Sequence, residues 1–441
     1  MNKVRGNSKK NLISDKKNSD NNNKNRNKPQ PQQKSDQVEL LLPVQNRKGI
    51  KAAIGNADAV YFGCEALNMR MHADNFPLKN LAEIVALCHD NNMKCYLTTN
   101  VIMYDNEIDY MRNILQKAQD AEIDAIIVHD MGVLDIAKEL GINFHCSTQM
   151  SISNIRAAKH FESLGAERII LARELSLGQI KKIATNLSRT KVEAFIHGAQ
   201  CTSISGRCYF SAYCNEDPKY SANRGKCLQP CRTSWTLTNK DDLSMDYQEG
   251  FFLNSKDLCM IEYVPQSIES GIASFKVEGR MRDPHYVETV GECYREAIDS
   301  YYNGTFNQKK VNDWMFRLKS VYNRGFSTGF YFSRPTHLDI TRDTSGNLAT
   351  HSKSQIGKVT TYYRKIHVAK IRLVKGILRI GDTIVFEGGS NGTYLTQRIH
   401  SIHIKGKAVT ETPKASPENP IIIGTKVNEP VSKNDWVYKY I

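Results

Sequence analysis

Short apolar runs alternate with amphipathic stretches from residue 38 onward, and this alternation restricts the fold more than any other feature of the chain. The stretches place apolar residues three and four positions apart and often end at Gly or Asn, which is typical of helices. Repeated strand–helix units at a spacing of about 25–30 residues favour a TIM-like (β/α) barrel, with a doubly wound sheet as the alternative. The eight predicted strands are VELLLPV (38–44), AVYFG (59–63), KCYLTTN (94–100), AIIVHD (125–130), NFHCSTQM (143–150), RIILAR (168–173), VEAFIHG (192–198) and ASFKVEG (273–279).

The pattern changes at about residue 352. Residues 352–441 alternate apolar and polar positions with Gly between the runs and show no helical period, which predicts a small C-terminal antiparallel β-barrel. The predicted organisation is therefore a TIM-like catalytic domain over residues 38–335 and a β-barrel domain over residues 352–441. The catalytic domain carries a long irregular insertion at residues 199–250.

The first 37 residues are rich in Asn, Lys, Gln and Ser and contain no apolar segment, so we predict a disordered tail without a secretory signal. No apolar run approaches the roughly 18–20 residues of a membrane span, which predicts a cytoplasmic protein without a membrane partner. Ten Lys/Arg and three Asp give this tail +7 of the net charge of +14. Such charge suits a polyanionic partner such as RNA, although a tail that serves only solubility has the same composition.

Polar residues follow most of the predicted strands, at the end where TIM-like barrels carry their chemistry. Any one of them could be an ordinary loop residue, but their repetition indicates a pocket. Lys276, Glu278 and Arg280 alternate along one strand end and should point the same way, either into a site or into a salt-bridged layer of the barrel. The other strand-end candidates are Asn100, His129, Asp130, Ser147, Thr148, Gln149, Arg173 and His197.

Five of the eleven cysteines fall within the insertion. The odd count and the expected cytoplasmic setting argue against a disulfide framework. Cys201, Cys208, Cys227 and Cys231 have the spacing C-x6-C-x18-C-x3-C, and four thiolates complete the ligand set of either a zinc ion or a 4Fe–4S cluster. The wide, uneven spacing favours the cluster, while zinc and the absence of a metal stay open. Cys214 is a spare thiol that could replace one ligand.

The segment EAFIHGAQCTSISGRCYFSAY (193–213) resembles the signature of the collagenase-like, or U-class, peptidase family. Agreement continues through NRGKCLQPCR (223–232), LNSKDLC (253–259) and FKVEGRMRDPHYV (275–287), so that the resemblance covers residues 38 to about 335. It departs at Pro43-Val44-Gln45, where the family usually has P-A-G. The matching residues of the signature are Glu193, His197, Gly198, Cys201, Gly206, Arg207 and Cys208.

The resemblance implies more than proteolysis, because the family includes proteins that hydroxylate nucleic-acid bases or quinone precursors without molecular oxygen. The chain most resembles the branch that forms 5-hydroxyuridine at the tRNA wobble position. That branch implies a 4Fe–4S cluster, prephenate as co-substrate and tRNA as partner. Hydroxylation of ribosomal RNA, a peptidase and a non-catalytic RNA-binding or cluster-carrying protein stay as alternatives. The sequence leaves open whether the chain acts alone or with a paralogous protein partner.

These expectations assign roles to the candidate residues. The four cysteines are the predicted ligands, and the basic strand-end side chains are expected to bind the two carboxylates of prephenate. A peptidase has little support, because H-E-x-x-H and G-x-S-x-G are absent and Cys201 belongs to the thiol set. The predicted catalytic residues are Glu193, His197, Lys276, Glu278 and Arg280. The predicted lining residues are Asn100, Ser147, Thr148, Gln149, Asn254 and Lys256.

Overall fold

Eight parallel strands close into a barrel in the computed structural model, which describes residues 37–440 except 216–217, 237–249, 345 and 390–391. Closure is complete because β9 pairs in parallel with both β1 and β7. The predicted TIM-like fold is therefore confirmed, and the doubly wound alternative is excluded. Almost all of the predicted tail, residues 1–36, lies outside the described residues. The barrel strands are β1 Glu39–Pro43, β2 Ala59–Phe62, β3 Lys94–Thr99, β4 Ala125–Val128, β5 Phe144–Cys146, β6 Arg168–Ile170, β7 Lys191–Gly198 and β9 Ile272–Val277, with the short β8 Asp257–Cys259 between the last two.

Helices surround the barrel and bury one apolar face each. In α3 (Ile108–Asp120) the buried residues Met111, Ile114, Leu115 and Ala118 recur at helical spacing and pack on the strands. The strands are buried on both faces, as β4 shows with four buried residues in a row, because helices cover the outside and side chains fill the inside. The other helices are α1 Arg47–Ala53, α2 Leu81–His89, α4 Met131–Glu139, α5 Ile155–Ser163, α6 Leu177–Ala184, α7 Phe210–Asn215, α8 Val264–Glu269, α9 Pro284–Tyr302 and α10 Gln308–Ser320.

The cysteine-rich insertion leaves the barrel where β7 ends. Gly198 has a φ of +101°, and a Cβ at this position would lie 2.1 Å from the carbonyl oxygen of Glu278, so the close approach requires glycine. After the insertion the chain returns as β8, which runs antiparallel to β7 and pairs in parallel with β10 (Phe326–Ser327). The insertion is thereby fixed to the carboxyl end of the barrel.

The C-terminal part is an eight-stranded antiparallel sheet in the order β14-β13-β18-β11-β12-β17-β15-β16, as the predicted fold class requires. It has a hydrophobic core of its own. No helix among the described residues is long and apolar enough to span a membrane. The strands are β11 Lys353–Tyr363, β12 Val368–Leu373, β13 Thr383–Glu387, β14 Tyr394–Arg398, β15 Ile402–Ile404, β16 Lys407–Val409, β17 Ile421–Lys426 and β18 Trp436–Tyr440.

One edge of this sheet packs on the first turn of α9. The Tyr394 hydroxyl donates to the Glu288 carboxylate at 2.7 Å, and the rings of His285 and Tyr440 stack with their centres 4.2 Å apart. Val385 joins the hydrophobic core of the barrel. Because α9 begins just after β9 ends, the sheet lies at the same end of the barrel as the carboxyl ends of the strands.

Candidate active site

A cavity of about 570 Å³, including its open mouth, lies at the carboxyl ends of the barrel strands. The space inside it that is open to the centre of a water molecule is about 60 Å³, so the cavity is narrow. Seven predicted site residues and one predicted cysteine ligand line it: Asn100, Ser147, Thr148, Gln149, Lys276, Glu278, Arg280 and Cys201. The structure therefore brings most strand-end candidates to one place.

The floor of the cavity rests on a buried ionic network. Lys276 donates to Glu193 at 2.6 Å, and Arg168 contacts the other oxygen of Glu193 at 3.1 Å. Arg168 also binds Glu39, whose pKa is lowered to about 2 because the charge and hydrogen bonds of Arg168 outweigh the effect of burial. Burial lowers the pKa of Lys276, and the charge of Glu193 opposes that shift. Glu193 therefore lies beneath the cavity and fixes Lys276, which lines it.

Removal of the Glu193 carboxylate should strongly destabilise the barrel. The Glu193→Ala variant leaves Arg168 and Lys276 buried without their shared counter-ion, which should reduce the free energy of unfolding by about 3–5 kcal/mol. Urea unfolding followed by circular dichroism measures the change. The matched control is Glu139→Ala, because Glu139 is exposed and pairs with Arg112 on the surface. The control should lose less than about 1 kcal/mol, and equal losses in the two variants would contradict the structural role of Glu193.

One side of the cavity is formed by Glu278 and Arg280, just beyond β9. Arg70, from the loop after β2, donates to Glu278 at 2.9 Å. Burial opposes ionisation of Glu278, but the charges of Arg70 and Arg173 outweigh it and lower the pKa of this carboxyl. Arg280 is held by Thr98 at 2.7 Å and by the side-chain oxygen of Asn75 at 3.0 Å. Burial and the charge of Arg70 lower the pKa of Arg280 to about 10, so it stays cationic at neutral pH.

Two cations in the cavity, Arg173 and Arg280, form no ion pair with a carboxylate within the described part of the chain. Arg173 lies 3.9 Å from the centre of the Phe195 ring and donates one N–H to the carbonyl of Ala199. The Nε–H group of each arginine is enclosed by the protein and has no hydrogen-bond partner among the described residues, as is also true of Arg168, Arg295 and Arg324. Because no carboxylate of the described residues pairs with either guanidinium, the two cations favour an anionic ligand in the cavity.

The cavity is strongly positive as a whole. Four cationic side chains line it, Arg70, Arg173, Lys276 and Arg280, against the single lining carboxylate of Glu278. Arg173 is one of the strand-end candidates, whereas Arg70 was not predicted, since it follows β2 by several positions. The site therefore favours an anionic ligand, and preferably one with more than one negative charge.

The opposite wall carries neutral polar groups. Asn100 donates to the Ser147 hydroxyl at 3.2 Å and to Gln149 at 3.3 Å, and its own oxygen accepts from the backbone N–H of Met69. The Thr148 hydroxyl donates to the carbonyl of Leu171 at 3.0 Å. These contacts fix the wall and leave it able to bind a hydroxyl or carbonyl of a ligand.

His197 does not reach the cavity. Its ring is packed among the rings of Tyr286, Tyr294 and Phe326, and burial lowers its pKa to about 3. Phe195 lines the cavity, and a regular strand would point His197 to the same side. The pairing of β7 with β9 is irregular between these two residues, so His197 points to the other side. A neutral, enclosed imidazole among aromatic rings is a structural residue here, and it does not form a nucleophile–base pair with Cys201.

Asn254 and Lys256 also lie outside the cavity. The Asn254 oxygen accepts from Arg232 at 2.9 Å, and its amide donates to the backbone of Thr341 and Thr344. Lys256 packs against Gly325. Asn254 therefore positions Arg232, the neighbour of Cys231, and does not line the cavity.

The four predicted cysteine ligands lie near one another on the insertion. Burial raises the pKa of Cys227 and of Cys231. The negative charge of a neighbouring Cys201 thiolate raises both pKa values further, and that of Cys208 also raises the pKa of Cys231. The backbone N–H of Gln229 lies 3.3 Å from the Cys227 sulfur. Cys201 also lines the cavity, so the thiol set adjoins the cation-lined site.

The local backbone suits a set of sulfur ligands. Gly225 has a φ of +76°, and a Cβ there would lie 2.0 Å from the backbone oxygen of Asn68, so this turn requires glycine. The insertion thereby packs on the loop that carries Arg70. Four thiols with a nearby N–H donor and the guanidinium of Arg232 offer the sulfur ligands and the positive charge that a thiolate-bound metal centre needs. Within the described residues, no three of these four sulfur atoms all lie within 4.8 Å of one another.

The six remaining cysteines outside the insertion are buried. Burial raises the pKa of Cys64, Cys146 and Cys259 to about 12, which keeps these thiols protonated at neutral pH. Protonated, buried thiols of this kind are unreactive, so these three cysteines are structural.

A closed (β/α) barrel with a cation-lined cavity at the carboxyl ends of its strands, and with a four-thiol insertion beside that cavity, has the organisation of a barrel enzyme. The chain belongs to peptidase family U32, whose model matches residues 45–341. The resemblance seen in the sequence is therefore confirmed.

The relatives of this chain carry different names. The chain is 42% identical over 411 residues to an uncharacterized protease of Methanocaldococcus jannaschii, covering 91% of this chain and 98% of the relative. It is 37% identical over 415 residues to a collagenase of Porphyromonas gingivalis, covering 91% and 97%. It is 32% identical over 358 residues to tRNA hydroxylation protein P1 of Bacillus subtilis, covering 79% and 83%. The family name alone therefore does not specify the reaction.

Proposed function

We propose that this chain is a tRNA-modifying enzyme that hydroxylates uridine at carbon 5, at the wobble position, with prephenate as co-substrate and a 4Fe–4S cluster as cofactor. The similarity to a tRNA hydroxylation protein over 79% of the chain supports the reaction class. The observation that carries the proposal is the pair of arginines, Arg173 and Arg280, which line one cavity and have no ion-pair partner among the described residues. A dicarboxylate such as prephenate matches these groups in charge and in hydrogen-bonding capacity.

Each cavity residue has a defined task in this proposal. Arg173 and Arg280 bind the two carboxylates, and Lys276 adds positive charge at the floor. Glu278 holds Arg70 in place. Ser147 and Asn100 orient the neutral part of the ligand through hydrogen bonds. The residues bind and orient the co-substrate in a partly enclosed site, where charge interactions are stronger than in bulk water.

The cluster would be held by Cys201, Cys208, Cys227 and Cys231. When bound, a 4Fe–4S cluster supplies one-electron redox chemistry or a Lewis-acidic iron. Arg232 lies next to Cys231 and is fixed by Asn254 and by the carbonyl of Ser255 at 2.6 Å. Its positive charge would stabilise the thiolate ligands and offset their negative charge.

A peptidase is the second candidate, because two of the relatives are named a protease and a collagenase. Hydrolysis by a nucleophile needs an oriented base beside it. The described residues that line the cavity include no histidine, and His197 faces aromatic rings elsewhere. A group of potential metal ligands, His89, Cys95 and Asp124, lies at the other end of the barrel strands, remote from the cavity. The site therefore favours anion binding over peptide hydrolysis.

Nucleoside mass spectrometry of RNA from a strain that lacks this chain tests the proposal. We expect hydroxyuridine and its derivatives to be lost from bulk tRNA and to return when the wild-type chain is expressed. Loss from ribosomal RNA alone would assign the substrate to that RNA. Unchanged tRNA and ribosomal RNA would contradict a modifying enzyme and favour a non-catalytic partner or a peptidase.

A further inference from the structure

We infer that the exposed part of the C-terminal sheet, formed by β11, β12 and β17 together with Trp436 of the neighbouring β18, is a docking surface for the phosphate backbone of the substrate RNA. This inference rests on the proposed function, because it takes the RNA substrate from it. It identifies the part of the protein that would bind the rest of the RNA while the reacting nucleotide lies in the cavity. We call this surface the basic face and define it by Lys358, Lys370, Arg372, Lys426 and Trp436.

The strand register places these side chains on one face of the sheet. Lys358 pairs with both Arg372 and Trp436, and residues that pair directly across antiparallel strands point to the same side. Lys370 lies two residues before Arg372 on β12 and therefore shares its face. Lys426 pairs with Val368, and Val368 lies two residues before Lys370 on β12, so Lys426 points to the same side of the sheet. The five residues thus form one surface and not a scatter of charges.

The charge of this surface is unbalanced. The three strands contain no acidic residue over their entire length. Within the part of the chain that the structure describes, no ion pair joins Lys358, Lys370, Arg372 or Lys426 to a carboxylate. Lys370, Arg372 and Lys426 are exposed. Free cations on adjacent strands suit a repeating anion, because each one neutralises a phosphate and releases a counter-ion.

An aromatic plane accompanies the cations. The Lys358 amine lies 3.9 Å from the centre of the Trp436 ring, and Trp436 is 39% exposed. Exposed aromatic rings beside cations provide stacking surfaces for unpaired bases. An acidic protein would use the charges but would not need this ring, so the combination favours RNA.

The basic face is continuous with the part of the sheet that docks on the barrel. Glu387 pairs with both Trp436 and Tyr394, so the face that carries Trp436 also carries the Tyr394 side chain, which binds Glu288 on α9. That contact lies at the carboxyl end of the barrel, where the cavity opens. An RNA bound on the basic face would therefore extend toward the cavity from one side.

A charge-neutralising double variant tests the inference. Lys370→Gln/Arg372→Gln should weaken tRNA binding roughly tenfold near physiological ionic strength and reduce the slope of log Kd against log salt by about 1.5. The measurement is fluorescence anisotropy of labelled tRNA with the full-length protein at several salt concentrations. The matched control is Lys181→Gln/Lys182→Gln, which removes the same charge from exposed positions of α6. The control should bind with the slope of the wild-type protein.

Equal affinity and slope in the two double variants would overturn the inference and leave the proposed function standing, because the cavity is unchanged. The inference would also be overturned if the basic-face variant loses an acidic protein partner while its tRNA binding is normal. Conversely, a reduced slope together with unaltered nucleosides in the deletion strain would support the basic face and overturn the proposed reaction.

Discussion

The Arg280→Lys variant should bind prephenate roughly 30- to 1,000-fold more weakly than the wild-type protein. Arg280 has no carboxylate partner among the described residues, and its N–H groups bind Thr98 and Asn75 while Nε–H is free. Lysine keeps the charge but cannot maintain these contacts and bind a ligand through a planar fork. Loss of a charged, buried contact costs about 2–4 kcal/mol, which corresponds to this change in affinity. Isothermal titration calorimetry under anaerobic conditions measures it.

The control for this experiment is Arg112→Lys, since Arg112 is exposed on α3 and pairs with Glu139 far from the cavity. It should leave prephenate affinity unaltered. An iron assay and an unfolding curve on each sample separate a local loss of binding from a loss of fold. Wild-type affinity in Arg280→Lys would remove this residue from the ligand site.

The Cys227→Ala variant should lose the cluster. Protein purified without oxygen should be brown and contain about four iron and four sulfide per chain, and this variant should be colourless and lack the corresponding iron. The reason is that a cuboidal cluster needs its thiolate ligands, and Cys227 lies within the mutually interacting thiol set. Visible absorption and iron analysis measure the outcome.

Cys214→Ala is the matched control, because Cys214 is an exposed thiol of the same insertion, on α7. It should keep both colour and iron. Colourless wild-type protein with one bound zinc per chain would contradict the cluster and assign the thiols to a structural zinc site. If Cys214→Ala loses its colour and one of the four predicted ligand variants keeps it, Cys214 replaces that residue as a cluster ligand.

The barrel could be predicted from the sequence because its signal is local and repeated. Each of the eight predicted strands overlaps a strand of the closed barrel, and the amphipathic stretches between them contain helices such as α3 and α5. Apolar runs and helical periods report burial directly. The short strands β8 and β10 gave no such signal, because their three and two residues are too few to show a periodic pattern of apolar positions.

The site could be predicted in part. Residues that follow strands, such as Asn100 and Lys276, reach the cavity because the carboxyl ends of parallel strands meet there. His197 does not, because the irregular pairing after Phe195 turns the strand and alternation alone cannot show this irregularity. Arg70 was missed because it is brought in by a long loop. Its sequence neighbours carry no signal for its contact with Glu278.

The central claim is that this chain uses prephenate to hydroxylate uridine in tRNA, and one measurement tests it directly. Unmodified tRNA from the deletion strain is incubated without oxygen with purified, iron-loaded protein, with or without prephenate, and its nucleosides are analysed by mass spectrometry. We expect uridine with one added oxygen atom to form only when prephenate is present, and to form far more slowly with Arg280→Lys. Equal formation of the modified nucleoside with and without prephenate would contradict this claim. The claim would also be contradicted if the purified protein leaves the tRNA unmodified while a cell extract that contains the wild-type chain restores the modification without prephenate.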